Sequence, residues 1–153
     1  MNLSSSLEDY LEAIYDIKEE DNIVRITDIS TKLNVEKSSV NTAVKKLKNL
    51  NLVIHEKYGH IILTKRGEEE AVSIKAKHNI LLKFLNDILG ITKKDAEREA
   101  CKIEHAISDN TFKRLSKFVY FFTHNPFFHN NKWHKSFEKY ILTGVMDLGK
   151  NAD

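Results

Sequence analysis

The stretch VEKSSVNTAVKKLKNLNLVIHEKYGHIILTKRG, residues 35–67, changes its hydrophobic period in mid-course, and that change decides the fold. Val40, Val44 and Leu47 recur at helical spacing, which predicts a helix over about 37–50. Two β-rich runs follow, 52–56 and 60–63, on either side of Lys57-Tyr58-Gly59, a hairpin signal with glycine at the turn. Upstream, Leu7, Leu11, Ile14 and Lys18 predict an amphipathic helix over 6–20 with Ser5 or Ser6 as N-cap. Thr27 reads as the cap of a short helix that carries Ile29 and Leu33 and stops near Asn34. Helix, helix, short turn, helix, hairpin is the order of a winged helix-turn-helix.

Downstream, Thr64 is expected to cap a helix running to about Leu89 and ending at Gly90, a usual residue just past a helix end. Further helices are expected at 93–107 and at 110–123, the second opened by Ser108 or Asp109. The only proline, Pro126, marks THNPFFHNN as a loop, and a last helix over 131–147 is expected to turn Trp133, Phe137, Tyr140 and Ile141 inward. The reading is a mainly α protein with a small β-hairpin wing. A winged helix-turn-helix occupies 1–66 and a helical domain occupies 67–153.

With 153 residues the chain is long enough to bury a real core. No apolar stretch approaches the roughly 18 residues of a membrane span. The first ten residues, MNLSSSLEDY, carry neither the basic nor the apolar part of a secretory signal. A single cysteine excludes an internal disulfide and fits a reducing compartment, so a cytoplasmic location is expected. The net charge of +2 conceals a division. Residues 1–22 hold seven acids against Lys18, a net of −6, and residues 23–67 hold nine bases against three acids, a net of +6. A local basic block is what a phosphate backbone requires.

The third helix presents Lys37, Ser38, Ser39, Asn41, Thr42 and Lys45 on faces that Val40, Val44 and Leu47 leave free. Asparagine can bond adenine edges in the major groove, and Ser and Lys can reach bases or phosphates. The hairpin adds Lys57 and Tyr58, with His55 and His60, along the backbone or the minor groove. Each residue taken singly fits an exposed helix equally well; their order favours double-stranded DNA.

A second constellation is split over three places. Asp9 and Glu12 are neighbours on the first helix, with Asp16 below them. Ser6-x-x-Asp9 also reads as a capping arrangement. In EREACKIEHAIS, Cys101, Glu104 and His105 stand at i, i+3 and i+4, so a thiolate, a carboxylate and an imidazole converge on one helical face. Glu97, one turn earlier, is a further candidate ligand, and Glu99 points away. His78, in KAKHNILLKF, gains meaning because the other two groups each lack a ligand it can supply.

The stretches SLEDYLEAIYDI, VEKSSVNTAVKKL, LVIHEKYGHIILTKRG, KHNILLKFL and EACKIEHAISD, spread over residues 6–109, resemble the diphtheria-toxin-repressor superfamily of metal-dependent transcriptional repressors. The resemblance is to the short two-domain form, the manganese transport regulators, and thins after about residue 123. It implies a repressor that binds a palindromic operator as a homodimer. It also implies a principal metal site of Asp9, Glu12, His78, Cys101, Glu104 and His105. Manganese-type members have Asp at position 9 but Glu at position 101, and iron-type members have the Cys but Met at position 9. The iron-type ancillary site needs Glu at Leu82 and His at Glu97, so it is not expected here, nor is an SH3-like domain. Three carboxylates favour Mn²⁺ or Fe²⁺, while a thiolate pulls toward Fe²⁺, Zn²⁺, Co²⁺ or Ni²⁺. The expected cofactor is Fe²⁺ or Mn²⁺, and the expected targets are genes of metal homeostasis.

Dimer contacts are expected from helices within 65–123, through Phe112, Leu115, Phe118, Val119 and Phe122. An alternative keeps the winged helix and makes Cys101 a redox-sensing thiol, its pKa lowered by His105 and opposed by Glu104. An enzyme of the di-iron class would need paired Glu-x-x-His motifs; Glu104 and His105 are adjacent and no second pair exists, so no catalysis is expected. The histidines His124, His129 and His134 match no standard metal spacing and read as loop and helix polarity.

Overall fold

Helix α1 (Ser5–Asp21) turns Leu11, Ile14 and Ile17 inward, and Leu11 and Ile14 are wholly withdrawn from solvent. Each such side chain contributes about 1.5–3 kcal/mol of burial. They meet Ile29 of α2 (Ile26–Leu33) and Val40, Val44 and Leu47 of α3 (Lys37–Asn49) in one cluster. The chain then forms β1 (Val53–His55) and β2 (Ile61–Leu63), antiparallel, in the register Val53↔Leu63, Ile54↔Ile62 and His55↔Ile61. Val53, Ile61 and Leu63 face the core while Ile54 and Ile62 face solvent, as the pleat of a strand requires. Val24 adds a bridge on the other side of Ile61, whose N–H donates to the Val24 carbonyl at 2.9 Å.

Beyond the wing come α4 (Lys65–Lys83), a π-helical turn at Phe84–Ile88, α5 (Lys93–Glu104), α6 (Asp109–His124), a 3₁₀ turn at Pro126–Phe128 and α7 (Lys132–Thr143). The computed structural model describes residues 3–55, 59–128 and 132–146. The chain divides into two compact units, Met1–Lys77 and His78–Asp153. The second has its own cluster, in which Leu81 and Leu85 meet Ala96 and Ala100 of α5. Phe122, Phe128 and Trp133 form a further aromatic group, with ring centroids 4.3–6.2 Å apart and the indole N–H donating to the Phe128 carbonyl at 2.8 Å.

Several helix ends differ from the sequence expectation. Ser4, not Ser5 or Ser6, is the N-cap of α1; its carbonyl accepts from Leu7 and Glu8, so Ser6 and Asp9 do not make a capping pair. Arg25 rather than Thr27 is the N-cap of α2, because Asp28 reaches back to accept from the Arg25 N–H at 3.0 Å. Helix α5 stops at Glu104, short of residue 107. THNPFFHNN includes the 3₁₀ turn. Helix α7 ends at Thr143, before Gly144 at φ 68°, and leaves Tyr140 and Ile141 exposed. Val119 is 1% exposed and packs inward, so it is spent within the subunit rather than on a dimer face. His124 stacks on Tyr120, His134 lies tilted against Trp133, and His129 lies outside the described residues.

The start of α4 explains LTKRG. The Thr64 hydroxyl donates to the Asn51 carbonyl at 2.8 Å and accepts from the Gly67 N–H at 3.0 Å, while the Thr64 N–H donates to the Leu52 carbonyl at 3.0 Å. Gly67 lies so close to the chain leaving α3 that an added Cβ would stand 1.9 Å from the Leu52 carbonyl oxygen. Backbone cannot yield as a flexible side chain does. Gly67→Ala is therefore expected to destabilise the protein by about 2–3 kcal/mol, and Thr64→Ala by about 1 kcal/mol. Urea unfolding followed by circular dichroism checks both; a Gly67→Ala midpoint equal to wild type would contradict the close approach.

Candidate metal centre and nucleic-acid interface

Ala96, Ala100 and Glu104 recur every four residues on α5, so the face that buries two alanines also buries a carboxylate. Glu104 is 2% exposed. Its Oε2 accepts from His78 Nδ1 at 2.8 Å. Its Oε1 is fully buried and has no hydrogen-bond partner, with His105 Nε2 the nearby group at 3.5 Å. A buried carboxylate oxygen without a donor is costly, and such oxygens persist where a cation or proton completes them.

One donor atom from each of Cys101, Glu104 and His105 lies within 4.8 Å of the others. The expected convergence therefore holds, although His105 is the C-cap of α5 rather than a helical residue. Its φ of −80° and ψ of −19° continue the turn closely enough to keep the imidazole on the same side. Cys101 is exposed and His105 half-buried. Glu97 is not part of this group: it is exposed and lies 4.0 Å from Lys93. Glu99 faces outward to Arg98 and Lys102. The second unit thus gathers His78, Cys101, Glu104 and His105. A sulfur and an imidazole beside this carboxylate, with a second imidazole on its other oxygen, are donor types that suit a divalent transition metal.

Asp9 and Glu12 belong to the first unit, where both are half-buried on α1. One turn beyond Glu12, Asp16 is bonded by Lys75 through Oδ1, and its Oδ2 lies 3.5 Å from Lys32. Lys32 also donates to Glu20 at 3.3 Å. The part played by Lys75 was not legible beforehand; its only trace is a position three residues before His78 in KAKHN.

On α3 the side chains of Lys37, Ser38, Ser39, Asn41, Thr42 and Lys45 are all exposed, while Val40, Ala43, Val44 and Leu47 are buried. Asn41 Nδ2 donates to the Lys37 carbonyl at 2.9 Å and Thr42 Oγ1 to the Ser38 carbonyl at 3.0 Å. A base edge read by Asn41 through both amide atoms must replace that local bond. Lys57 and Tyr58 lie outside the described residues. Beside the reading face, Ser4, Ser6, Ser38, Ser39, Thr42 and Lys46 help to line a cleft of about 440 Å³, which sequence reasoning did not anticipate.

Comparison with known proteins covers both units. Residues 2–61 match the family model for the iron dependent repressor N-terminal DNA binding domain, and residues 64–132 match that for the iron dependent repressor metal binding and dimerisation domain. An uncharacterised HTH-type transcriptional regulator of Methanocaldococcus jannaschii is 44% identical over 118 residues, 76% of this chain and 94% of that protein. The HTH-type transcriptional regulator MntR of Geobacillus kaustophilus is 34% identical over 117 residues, 76% of this chain and 82% of its own length. Among solved structures, the manganese regulator SloR superposes with a TM-score of 0.68 at 35% identity, over 79% of this chain and 55% of that one. The metal-dependent regulator MtsR gives 0.70 at 28%, over 75% and 54%. The chain spans about half the length of these solved structures.

The exposure of Cys101 makes a direct check simple. One equivalent of thiol per chain is expected to react with an aromatic disulfide reagent in the native protein, without denaturant, because the chain has one cysteine and it is exposed. A thiol that reacts only after unfolding would contradict its place at the rim of the cluster.

Proposed function

The chain belongs to the iron-dependent repressor family, and from that premise we propose that it is a divalent-metal-dependent transcriptional repressor of metal-homeostasis genes, with Fe²⁺ or Mn²⁺ as activating ion. The observation that carries this reading is Glu104, whose buried Oε1 has no hydrogen bond, whose Oε2 is bonded by His78, and whose carboxylate lies within ligand reach of Cys101 and His105. Residues 1–66 read DNA, and residues 67–153 bind metal and dimerise. The protein acts by binding rather than by catalysis. No helix among the described residues is long and apolar enough to cross a membrane, and the site of action we assign is the cytoplasm.

The ligand set we assign is Asp9 and Glu12 from α1 with His78, Cys101, Glu104 and His105. A bound divalent ion supplies the positive charge that three carboxylates need. Asp9 and Glu12 make α1 the element that responds. Leu11 and Ile14 of α1 share a core with Val40 and Val44 of α3, so a restraint on α1 is a restraint on the reading helix. In the homodimer two copies of α3 meet successive major grooves of a palindromic operator. By linkage, metal tightens DNA binding only as far as DNA favours the metal-bound geometry. Zn²⁺, Co²⁺ and Ni²⁺, which thiolate and imidazole also suit, are expected to bind in vitro.

The test is a fluorescence titration of an operator duplex with and without Mn²⁺ or anaerobic Fe²⁺. Metal is expected to tighten wild-type binding at least about tenfold, roughly 1.4 kcal/mol of coupling, and to leave Glu104→Ala unchanged. Equal binding by both proteins in the absence and presence of metal would end the sensor reading while sparing the DNA reader.

The reading helix can be tested separately. Asn41→Ala should cost about 1–3 kcal/mol on the preferred sequence and relax discrimination at one base. Lys45→Ala should weaken all sequences alike and lower the salt slope by about 1. Uniform weakening by Asn41→Ala would remove it from base readout.

A further inference from the structure

Lys75 places a fixed positive charge in an acidic row that neither DNA reading nor metal ligation explains. Its ammonium donates to Asp16 Oδ1, and the Asp16 side chain is only 20% exposed. Asp16 is held from its other oxygen by Lys32 at 3.5 Å. On α1, Asp16 follows Glu12 by four residues, which makes the two carboxylates neighbours on one face. Burial pulls the Lys75 ammonium toward its neutral form, but the Asp16 hydrogen bond, the Asp16 charge and then the Glu12 charge outweigh it, so its pKa is raised from 10.5. The Lys75 cation therefore feels Glu12 as well as Asp16.

A tether is not what α1 needs, since Leu11, Ile14 and Ile17 already bind it into the core of the first unit. Partly exposed ion pairs add little to such burial. The consequence of Lys75 is electrostatic. We propose that Lys75, anchored by Asp16, is a resident cation that opposes a metal ion at Glu12 and so sets the metal concentration at which the repressor responds. This rests on the assignment of Glu12 to the metal centre. A cation held beside the neighbour of a ligand repels an arriving dication, and at 37% exposure Lys75 remains open to screening by salt.

Calorimetric titration of Mn²⁺ into the full-length apo protein tests the idea. Lys75→Gln is expected to bind Mn²⁺ about three- to tenfold more tightly than wild type, with a gap that narrows at high salt. Lys75→Arg, which keeps the charge, should match wild type. Asp16→Asn, which releases the lysine toward Glu12, should weaken binding. The urea midpoint of Lys75→Gln should stay close to wild type. Unchanged or weaker Mn²⁺ binding by Lys75→Gln would overturn the proposal. Glu104→Ala separates the two levels. If it loses Mn²⁺ while Lys75→Gln is flat, only the role of Lys75 falls. If it binds as wild type does, the metal centre falls and takes this proposal with it.

Discussion

A carboxylate withdrawn from water must be given positive charge or several donors, and Glu104 has one imidazole donor for two oxygens. Its burial is not incidental. Ala96 and Ala100 lie on the same face and are wholly buried against Leu81 and Leu85, so the packing that seats α5 also draws Glu104 inside. Larger residues at 96 or 100 would hold α5 further out and let water reach the carboxylate. The alanines thus create the electrostatic problem that Cys101, His105 and His78 surround. In the function proposed, a cation would complete that oxygen.

Within the first unit, a restraint on α1 would reach α3 through a shared core. Close-packed interiors transmit displacement because their side chains have nowhere else to go. Leu11 and Ile14 on α1, and Val40, Val44 and Leu47 on α3, are members of one such interior. The face of α1 that bears Asp9 and Glu12 and the face of α3 that bears Ser38, Asn41 and Lys45 are two outsides of the same core. The seam at Thr64 and Gly67 does similar work for the wing. It fixes the start of α4 to the chain between α3 and β1, so the hairpin and α4 share an anchor.

Long periodic segments were readable before any coordinates, since a buried stripe leaves a repeating signature. Val40, Val44 and Leu47 define α3, and alternation about Gly59 defines the wing, whose register follows from that alternation. Helix ends were less legible because capping is a competition among neighbouring polar groups. Asp28 reaching back to Arg25 moved the start of α2 away from Thr27, and the Ser4 carbonyl displaced two better-looking serines. Tyr140 and Ile141 misled for another reason: an apolar period shows that a face seeks cover, not that the same subunit supplies it. The donors on α5 were visible from their spacing, whereas Lys75 was not, because a lysine among lysines has no pattern until its partner Asp16 is placed.

The charge division of the sequence also acquires a physical meaning. Residues 1–22 carry an acid excess and residues 23–67 a base excess of equal size, and the simplest outcome would be mutual neutralisation. The structure makes part of that pairing through Lys32 and sends part of it to α4. Asp16 and Glu20 are met by Lys32 of α2 and Lys75 of α4, and Lys18 spends its charge on Glu68 of α4. The lysines of α3 are not the partners of these acids. Positive charge on α3 therefore stays available to phosphate, and on α1 Asp16 and Glu20 are compensated from α2 and α4. Two opposite fields can then coexist in one small unit, one suited to a polyanion and the other to a cation, with a shared apolar core between them.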